Sequence, residues 1–413
     1  MPRLRPYFGL VHLLLAQAAV GAEYIELDAN FDQGSLAVDQ SAVAGDDVSL
    51  AGRDNFYPGR WKWLYFSVDG VDGQRPTFRI GDNFALGGDN LQGHEMVYSY
   101  DKRNWRYFDH NAWRAKKGRF EFSNNRPFSA PKVHIAFGVP YPYQRVVRHT
   151  RRIASCRWVR PTNAGNGTLT LGETLVVSDD VGRRIPPLKL FAYEIGDFDS
   201  ANRDFKVVLV SGVHANESPG NFVLEGLVDF LVGDDDEAAE LRRRAAIFVY
   251  PMINPDGRYA GYNRGVVQND ALGPNRHWRP PCYGGLHNLR VVGEAMKADA
   301  APADIVIDFH ADAGGKSGHY AFVLPAWQRH PLWVQYRQRE PKVGARDARL
   351  INHTMARFGR DELGADFSIT FETQFIPGED ATRYRQLGAN WGVALHEALA
   401  SAPRKAAADA ATQ

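Results

Sequence analysis

Apolar and polar residues alternate in two different ways along the chain, and the change falls near residue 150. Between residue 23 and about residue 145, short β-branched or aromatic runs are separated by turn clusters such as Asp69-Gly70. Runs of this length and composition are typical of strands, so the pattern predicts an all-β module of sandwich or jelly-roll type. The clearest runs are 61–68, 76–80 and 132–137.

Strand-like and helix-like segments alternate after residue 150. Short apolar runs predict strands, and longer segments with one apolar face predict helices. Such alternation indicates an α/β domain with a mostly parallel mixed sheet and helices on both faces. The predicted strands are 206–213, 246–252, 304–309 and 367–371, and the predicted helices are 219–231 and about 388–400.

The N-terminus resembles a secretory signal. Arg3 and Arg5 precede an apolar stretch over residues 8–20, and the small residues at 21–22 suit cleavage. The alternative, a transmembrane anchor, needs roughly 20 apolar residues, and this stretch is shorter and interrupted by His12 and Gln17. We therefore expect a secreted or periplasmic protein without stable membrane insertion. The expected division is 1–22 signal peptide, 23–145 β domain, 146–402 α/β domain and 403–413 flexible tail.

Composition narrows the choice of partners without naming one. The chain of 413 residues has a net charge of +1 with both signs interspersed, which gives no reason to expect nucleic acid or an anionic membrane as the main partner. Cys156 and Cys282 suit either one disulfide or two free thiols. The aromatic residues of the β module suit either a ligand platform or, more commonly, the core of a sheet. They are Trp61, Trp63, Tyr65, Phe66, Trp105, Tyr107 and Trp113.

Metal-ligating side chains follow two of the predicted strands. His214 and Glu217 lie just beyond the run that ends at Val213, and Ser218-Pro219 reads as the N-cap and first residue of a helix. His310 ends the run at 304–309. Two imidazoles and one carboxylate, with a fourth position open to water, are the ligands of a catalytic zinc rather than a structural one. The pattern therefore predicts a zinc site at His214, Glu217 and His310.

Further polar residues suit hydrolysis at such a metal. Arg264 follows the turn Asn254-Pro-Asp-Gly257 and could neutralise an oxyanion, and the pair Asn275-Arg276 could bind a carboxylate. Glu372 lies near the end of the last predicted strand, where it could act as a general base. Taken singly, the arginines would usually be surface residues, and Glu372 could equally well be a surface residue at the edge of the sheet.

These motifs, in this order, resemble the M14 family of zinc carboxypeptidases. Within that family the chain is similar to the cytosolic carboxypeptidases, which carry an N-terminal β domain. Tyr141-Pro-Tyr143 resembles their Tyr-Pro-Tyr signature at the domain junction, and residues 61–68 resemble their early aromatic strand.

The resemblance implies a role for each matching residue. One zinc ion per chain would be held by His214, Glu217 and His310. Arg264 would stabilise the oxyanion, Asn275 and Arg276 would bind the terminal carboxylate, and Glu372 would act as general base and then as acid. The implied function is removal of C-terminal residues from peptides or peptide-like substrates by a zinc-activated water.

Three features depart from the family pattern. Gly273 stands where the family usually has an Asp that orients a zinc ligand, and Asp270 or Asp308 could replace it. No tyrosine matches the family's mobile active-site tyrosine, and the expected export differs from a cytosolic habit.

Two other functions stay open: a zinc amidase or deacylase of the same fold, and a binding protein that has lost activity. Arg346 loosely resembles a basic specificity element of the branch, which would favour an acidic terminal side chain. The sequence does not indicate an oligomeric state.

Overall fold

The computed structural model describes residues 24–55, 59–81, 83–84, 91–269, 272–312, 318–348 and 352–402. The predicted signal peptide and the predicted C-terminal tail lie outside these residues. Within the described part, no helix has both the length and the apolar composition needed to cross a bilayer. Cys156 and Cys282 are free thiols, so no disulfide joins them.

The N-terminal part is a sandwich of two five-stranded sheets. One sheet has the order β1-β4-β10-β6-β7 and the other β2-β3-β5-β9-β8. The strands are β1 (Glu26–Asp28), β2 (Ala42–Ala44), β3 (Asp47–Leu50), β4 (Tyr65–Asp69), β5 (Thr77–Gly81), β6 (Val97–Ser99), β7 (Arg106–Tyr107), β8 (His110–Arg114), β9 (Arg119–Ser123) and β10 (Lys132–Ala136).

Alternating side chains of both sheets fill the space between them. Phe66 and Ile135 of one sheet share a core with Phe78 and Phe120 of the other. Four of the seven aromatic residues singled out in the sequence, those at positions 61, 63, 65 and 66, are buried. The other three pack at the edge of the same core. The core interpretation is therefore confirmed for the four buried aromatics, and the other three are partly buried against the same core.

Among the described residues, the C-terminal part supplies the remaining strands and all the α-helices. The strands are β11 (Val159–Arg160), β12 (Thr170–Glu173), β13 (Val177–Ser178), β14 (Arg184–Ile185), β15 (Lys189–Phe191), β16 (Tyr193–Ile195), β17 (Phe205–Ser211), β18 (Ala245–Tyr250), β19 (Ile305–Asp312), β20 (Tyr320–Val323), β21 (Gly344–Asp347) and β22 (Phe367–Gln374). The described helices are α1 (Tyr143–Ile153), α2 (Ser218–Leu231), α3 (Asp236–Arg244), α4 (Pro255–Ala260), α5 (His287–Ala300), α6 (Pro331–Arg339), α7 (Met355–Asp361) and α8 (Ala381–Ala400).

Eight strands form one mixed sheet in the order β11-β16-β18-β17-β19-β22-β20-β21. The central strands β18, β17, β19 and β22 are parallel, and β16 and β20 pair antiparallel on either side of them. Helices α2, α6 and α8 pack on one face of the sheet, and α5 and α7 pack on the other. The predicted fold class is confirmed, since both faces of the parallel centre are covered as its apolar strands require.

The start of α2 shows how local sequence and tertiary contacts combine. Pro219 occupies the first turn of the helix, where its missing N–H costs nothing. A side chain at Gly220 would come within 2.7 Å of the Phe309 carbonyl oxygen, so glycine lets the helix approach β19. Ser218 is the first helical residue rather than the predicted N-cap, because its hydroxyl is engaged by the N-terminal part and accepts from Gln33 and the Tyr141 N–H.

The junction between the two parts is tied directly to α2. The Tyr141 hydroxyl donates to Glu225 at 2.9 Å, and the N–H groups of Tyr143 and Gln144 donate to the Asp32 carboxylate. The first of these bonds ties the junction to α2, and the other two tie the β sandwich to the start of α1.

Candidate active site

The predicted site residues meet at one edge of the central sheet. His214 and Glu217 follow β17, His310 lies on β19 and Glu372 lies on β22. In the parallel register Ser211 is opposite Phe309 and His310 is opposite Glu372. Because parallel strands end at a common edge, side chains far apart in sequence become neighbours there.

Three of these side chains point at one position. The Nδ1 atoms of His214 and His310 are 3.1 Å apart, and the Glu217 carboxylate lies 2.7 Å from the first and 2.8 Å from the second. All three residues are buried, and their ligand atoms lie within 4.8 Å of one another. Two imidazoles and a carboxylate converging in this way are donors that zinc accepts.

The charged groups around this position favour a bound cation. Burial lowers the pKa of His214 well below its ordinary value, and the nearby Arg264 adds to the effect. Burial also opposes a charge on His310, but the carboxylates of Asp308 and Glu217 outweigh it and raise its pKa well above the ordinary value. Without a metal, a proton on His310 therefore balances the carboxylates. A divalent cation would supply positive charge at the same position, so the residues fit zinc electrostatically as well as geometrically.

Asp308 takes the orienting role that the sequence left open. Its Oδ2 lies 2.7 Å from the Nε2 of His310, on the side of the ring facing away from the ligand cluster, and Asp308 is fully buried. Asp270, the other candidate, lies outside the described residues. A carboxylate behind a ligating histidine fixes its ring and makes it more basic. The carboxylate here supports His310 from within β19 itself.

We expect Asp308→Asn to weaken zinc binding by about 10–100-fold, because the amide no longer fixes the His310 ring or its charge. Competition with a coloured chelator measures the change. Asp312→Asn is the matched control, since Asp312 is on the same strand but its carboxylate accepts from the Tyr320 hydroxyl instead of a ligand. Equal zinc affinity in Asp308→Asn and wild type would contradict the assignment.

The loop carrying His214 and Glu217 is supported by an arginine that sequence reasoning missed. Arg258 is fully buried, and its Nη2 donates to the carbonyl oxygens of both residues at 3.3 and 3.2 Å. The same nitrogen donates to Asn221 on α2 at 2.7 Å. Arg258 directly follows the Asn-Pro-Asp-Gly turn, so its position beside that motif was the available signal.

A pocket of about 480 Å³ opens beside the three ligands. Arg264 enters it with Nη1 at 3.2 Å from Glu217, and burial raises the pKa of Glu372 to about 8, although His310 opposes this shift. A carboxyl group with a raised pKa suits proton transfer near neutral pH. The lining residues are Lys62, His214, Glu217, Arg264, Gly273, Asn275, Arg276, Ala311, Asp312, Tyr320, Phe322, Arg346, Thr354, Thr370 and Glu372.

The residues predicted to bind the substrate, Asn275, Arg276 and Arg346, line the same pocket but make different contacts. Asn275 is buried; its Oδ1 accepts from the Met355 N–H, and its Nδ2 lies 3.3 Å from the Nε2 of His310. Arg276 donates from Nη1 to its neighbour's carbonyl oxygen at 2.7 Å. Arg346 lies on β21 with its guanidinium 3.5 Å from the centre of the Tyr320 ring.

The structure adds Tyr320 and Lys62 to the pocket, and sequence reasoning missed both. Tyr320 lies opposite Glu372 in the antiparallel pair β20–β22. It is 52 residues before Glu372 in the chain, so it does not match the spacing at which the family's active-site tyrosine is expected. Lys62 sits within an aromatic run that reads as core.

Two family models match the chain. The model described as "Zinc carboxypeptidase" matches residues 178–284, and the model described as "Cytosolic carboxypeptidase N-terminal domain" matches residues 27–137. The first contains His214, Glu217 and Arg264, and the second covers most of the β sandwich.

Curated relatives include cytosolic carboxypeptidase 6 of Mus musculus, 31% identical over 166 residues, which are 39% of this chain and 30% of the relative. The Homo sapiens protein of that name is 29% identical over 195 residues, covering 45% of this chain and 38% of the relative. The matched region thus spans well under half the length of these relatives.

Solved structures share the fold over nearly the whole chain. A putative carboxypeptidase from Burkholderia mallei has a TM-score of 0.74 at 20% identity, covering 92% of this chain and 98% of that one. A metallo-carboxypeptidase from Pseudomonas aeruginosa, in complex with (2-guanidinoethylmercapto)succinic acid, has a TM-score of 0.71 at 20% identity, covering 90% and 98%.

The prediction of a secreted or periplasmic location is wrong. The curated relatives and the N-terminal family model are both those of cytosolic carboxypeptidases. The prediction rested on an apolar run behind two arginines and on small residues at 21–22 that suit cleavage.

Proposed function

The chain belongs to the M14 family of zinc carboxypeptidases, and from this membership we propose that it is a metallocarboxypeptidase that releases C-terminal residues from peptides or peptide-like substrates. The observation that carries the proposal is the convergence of His214, Glu217 and His310 beside a pocket that also contains Arg264 and Glu372. One zinc ion per chain would be held by the first three residues. When bound, zinc polarises the scissile carbonyl and makes water a better nucleophile.

Each remaining residue has a defined part in the reaction. The side chains of Asn275 and Arg276 bind the terminal carboxylate and place the last peptide bond next to the ligand cluster. Arg264 donates to the carbonyl oxygen as it gains negative charge. Glu372 takes a proton from the attacking water and gives it to the nitrogen of the departing residue, so the C–N bond breaks and a free amino acid leaves.

The proposal is tested with a set of peptides that differ only in their last residue, read by mass spectrometry. We expect removal of single C-terminal residues, loss of activity on chelation and recovery with one equivalent of zinc. Peptides with a C-terminal amide are the control, because they lack the carboxylate that Arg276 requires. Turnover of acyl-amino acids alone would favour the deacylase, and no turnover of either class would favour a binding protein.

Arg346 is proposed to favour an acidic last residue, because its guanidinium lines the pocket that would hold that side chain. In the same peptide set, Arg346→Gln is expected to reduce the preference for Glu and Asp by about tenfold, the loss of one charged hydrogen bond. Equal rates on acidic and neutral ends in the wild type would remove this role.

A further inference from the structure

Lys62 is a cation that the β sandwich places in the catalytic pocket. Only 1% of the residue is exposed, and it lines the pocket together with Glu217 and Arg264. Its neighbours Trp61 and Trp63 are fully buried in the core of the β sandwich. The two indoles fix the backbone on either side of Lys62, so the N-terminal part determines where this residue lies. Its side chain lines a pocket whose other lining residues belong to the C-terminal part.

One asparagine links the backbone of Lys62 to the segment that carries Arg264. The Oδ1 of Asn263 accepts from the N–H groups of both Lys62 and Trp63, each at 2.8 Å. Its Nδ2 donates to the carbonyl oxygen of Arg53 at 2.5 Å. Asn263 is fully buried and directly precedes Arg264. The hydrogen bonds of Asn263 therefore fix the backbone of Lys62, from the N-terminal part, next to the backbone of Arg264, from the C-terminal part.

The ammonium group of Lys62 has no partner in the part of the chain that the structure describes. No hydrogen bond or ion pair joins its Nζ to another described residue, although its backbone is bonded. Burial, and after it the positive charge of Arg264, lower the pKa of Lys62 to about 8, while Glu217, Asp312 and Glu372 oppose the shift from a distance.

The nearby carboxylates are engaged elsewhere or too distant. Glu217 contacts both histidines and Arg264, and Asp312 accepts from the Tyr320 hydroxyl. Glu372 forms no ion pair with Lys62 within 4 Å. A buried cation without a partner destabilises the fold, so the arrangement is reasonable only if a partner arrives with the ligand.

The contacts of Asn263 also indicate which part of a ligand Lys62 faces. Asn263 accepts from the Lys62 N–H and directly precedes Arg264, and both Lys62 and Arg264 line the pocket. Lys62 thus lies on the Arg264 side of the pocket. A peptide bound there presents backbone carbonyl oxygens on that side, and these are acceptors for an ammonium group.

We propose that Lys62 is a substrate-binding residue that the β sandwich supplies to the catalytic pocket, where its ammonium group donates to a carbonyl oxygen of the bound peptide on the Arg264 side. This inference rests on the proposed carboxypeptidase function. It also gives the N-terminal part a direct role in the reaction: the C-terminal part alone would have an incomplete substrate site.

The test compares Lys62→Met, which keeps the length of the side chain without its charge, with Lys62→Arg, which keeps a cation. We expect Lys62→Met to lower kcat/KM for the best peptide by about 10–100-fold, as for loss of one charged hydrogen bond. Zinc content stays at the wild-type level, and the melting temperature is unchanged or higher because an unpaired buried charge is gone. Lys62→Arg recovers most of the loss.

A binding measurement separates contact with the substrate from an effect on the base. In full-length, zinc-loaded protein carrying Glu372→Gln, the same peptide binds without turnover, and calorimetry gives its Kd. We expect Lys62→Met to weaken binding about tenfold in this background. Lys132→Met is the control, because Lys132 belongs to the same sandwich but is exposed and paired with Asp69.

The possible outcomes are distinct. Wild-type kcat/KM and Kd in Lys62→Met would overturn the inference. So would a loss of activity matched by loss of zinc or of melting temperature, since that pattern belongs to a structural lysine. An effect on turnover without any effect on Kd in the Glu372→Gln background would assign Lys62 to the base instead and also overturn it. A wild-type chain that cleaves no peptide would contradict the proposed function itself.

Discussion

Replacement of Glu372 by glutamine is expected to lower peptide turnover by about 10²–10⁴-fold, the usual contribution of a general base. Glutamine has the same shape but accepts no proton at neutral pH, so attack by water loses its assistance. Folding and zinc content should not change, because Glu372 is opposite His310 on the next strand but is not one of the three converging ligands. Steady-state kinetics together with metal analysis of the purified variant check both parts.

The pH dependence gives a second readout of the same residue. Burial raises the pKa of Glu372, and only the deprotonated carboxylate can act as a base. The wild-type rate should therefore fall as the pH drops through this pKa, and bound zinc moves the fall to lower pH because a dication favours the carboxylate. This acid limb should be missing from the residual activity of Glu372→Gln.

The control for Glu372→Gln is Glu397→Gln, which removes a carboxylate that pairs with Arg339 on the outer side of α8. Wild-type kinetics are expected from this control. Turnover of peptides by Glu372→Gln at the wild-type rate would show that the proposed mechanism is wrong.

Glu217→Gln is expected to abolish tight zinc binding and, with it, turnover. The Glu217 carboxylate contacts both ligating histidines and Arg264, and an amide oxygen is a much weaker zinc ligand than a carboxylate. We expect a reduced zinc content after dialysis. We also expect an activity at least about 10³-fold below wild type that excess zinc does not restore, because the stabilisation that a bound metal gives the transition state is worth several kcal/mol.

The same substitution should also destabilise the metal-free protein. Loss of one partner from a buried charge pair costs about 3–5 kcal/mol, and deprotonation of His310 offsets part of this cost. Urea unfolding in the presence of chelator measures the difference. Glu240→Gln is a suitable comparison, since the Glu240 carboxylate is largely exposed in its pair with His396, and exposed ion pairs contribute about 0–1 kcal/mol. Retention of one zinc per chain at wild-type affinity would exclude Glu217 as a ligand.

Local sequence pattern predicted much of the catalytic framework. The apolar run before His214 and the run ending at His310 are strands β17 and β19, because fully buried parallel strands need such runs on both faces. The helix after Glu217 ends at Leu231 as expected, and it begins one residue before the predicted start. Helix α8 begins at Ala381, seven residues before the predicted start, since Asp380 caps it with bonds to the N–H groups of Thr382 and Arg383.

Other features depend on packing that no local pattern reports. Asp308 was only one of two candidates for support of a ligand, and the choice needed the strand geometry that turns it toward the Nε2 of His310. Arg258 was not singled out in the sequence, yet it is fully buried and donates to the carbonyl oxygens of His214 and Glu217. The expected export is wrong for a different reason: it rested on a local pattern of arginines, apolar residues and small residues at the N-terminus, whereas the relatives and the N-terminal family model are those of cytosolic carboxypeptidases.

The sequence by itself determined which metal-ligating and acidic residues come near the ends of the central strands: His214 and Glu217, His310, and Glu372. Residue type and the end of an apolar run can both be read from a short stretch of sequence. Lys62 was decided only by the tertiary structure. It lies 201 residues from the asparagine that fixes its backbone, between two tryptophans that mark it as core in any local reading. That buried ammonium group faces the pocket only because the β sandwich packs against the segment that carries Asn263 and Arg264, and this contact is specified by packed surfaces rather than by a motif.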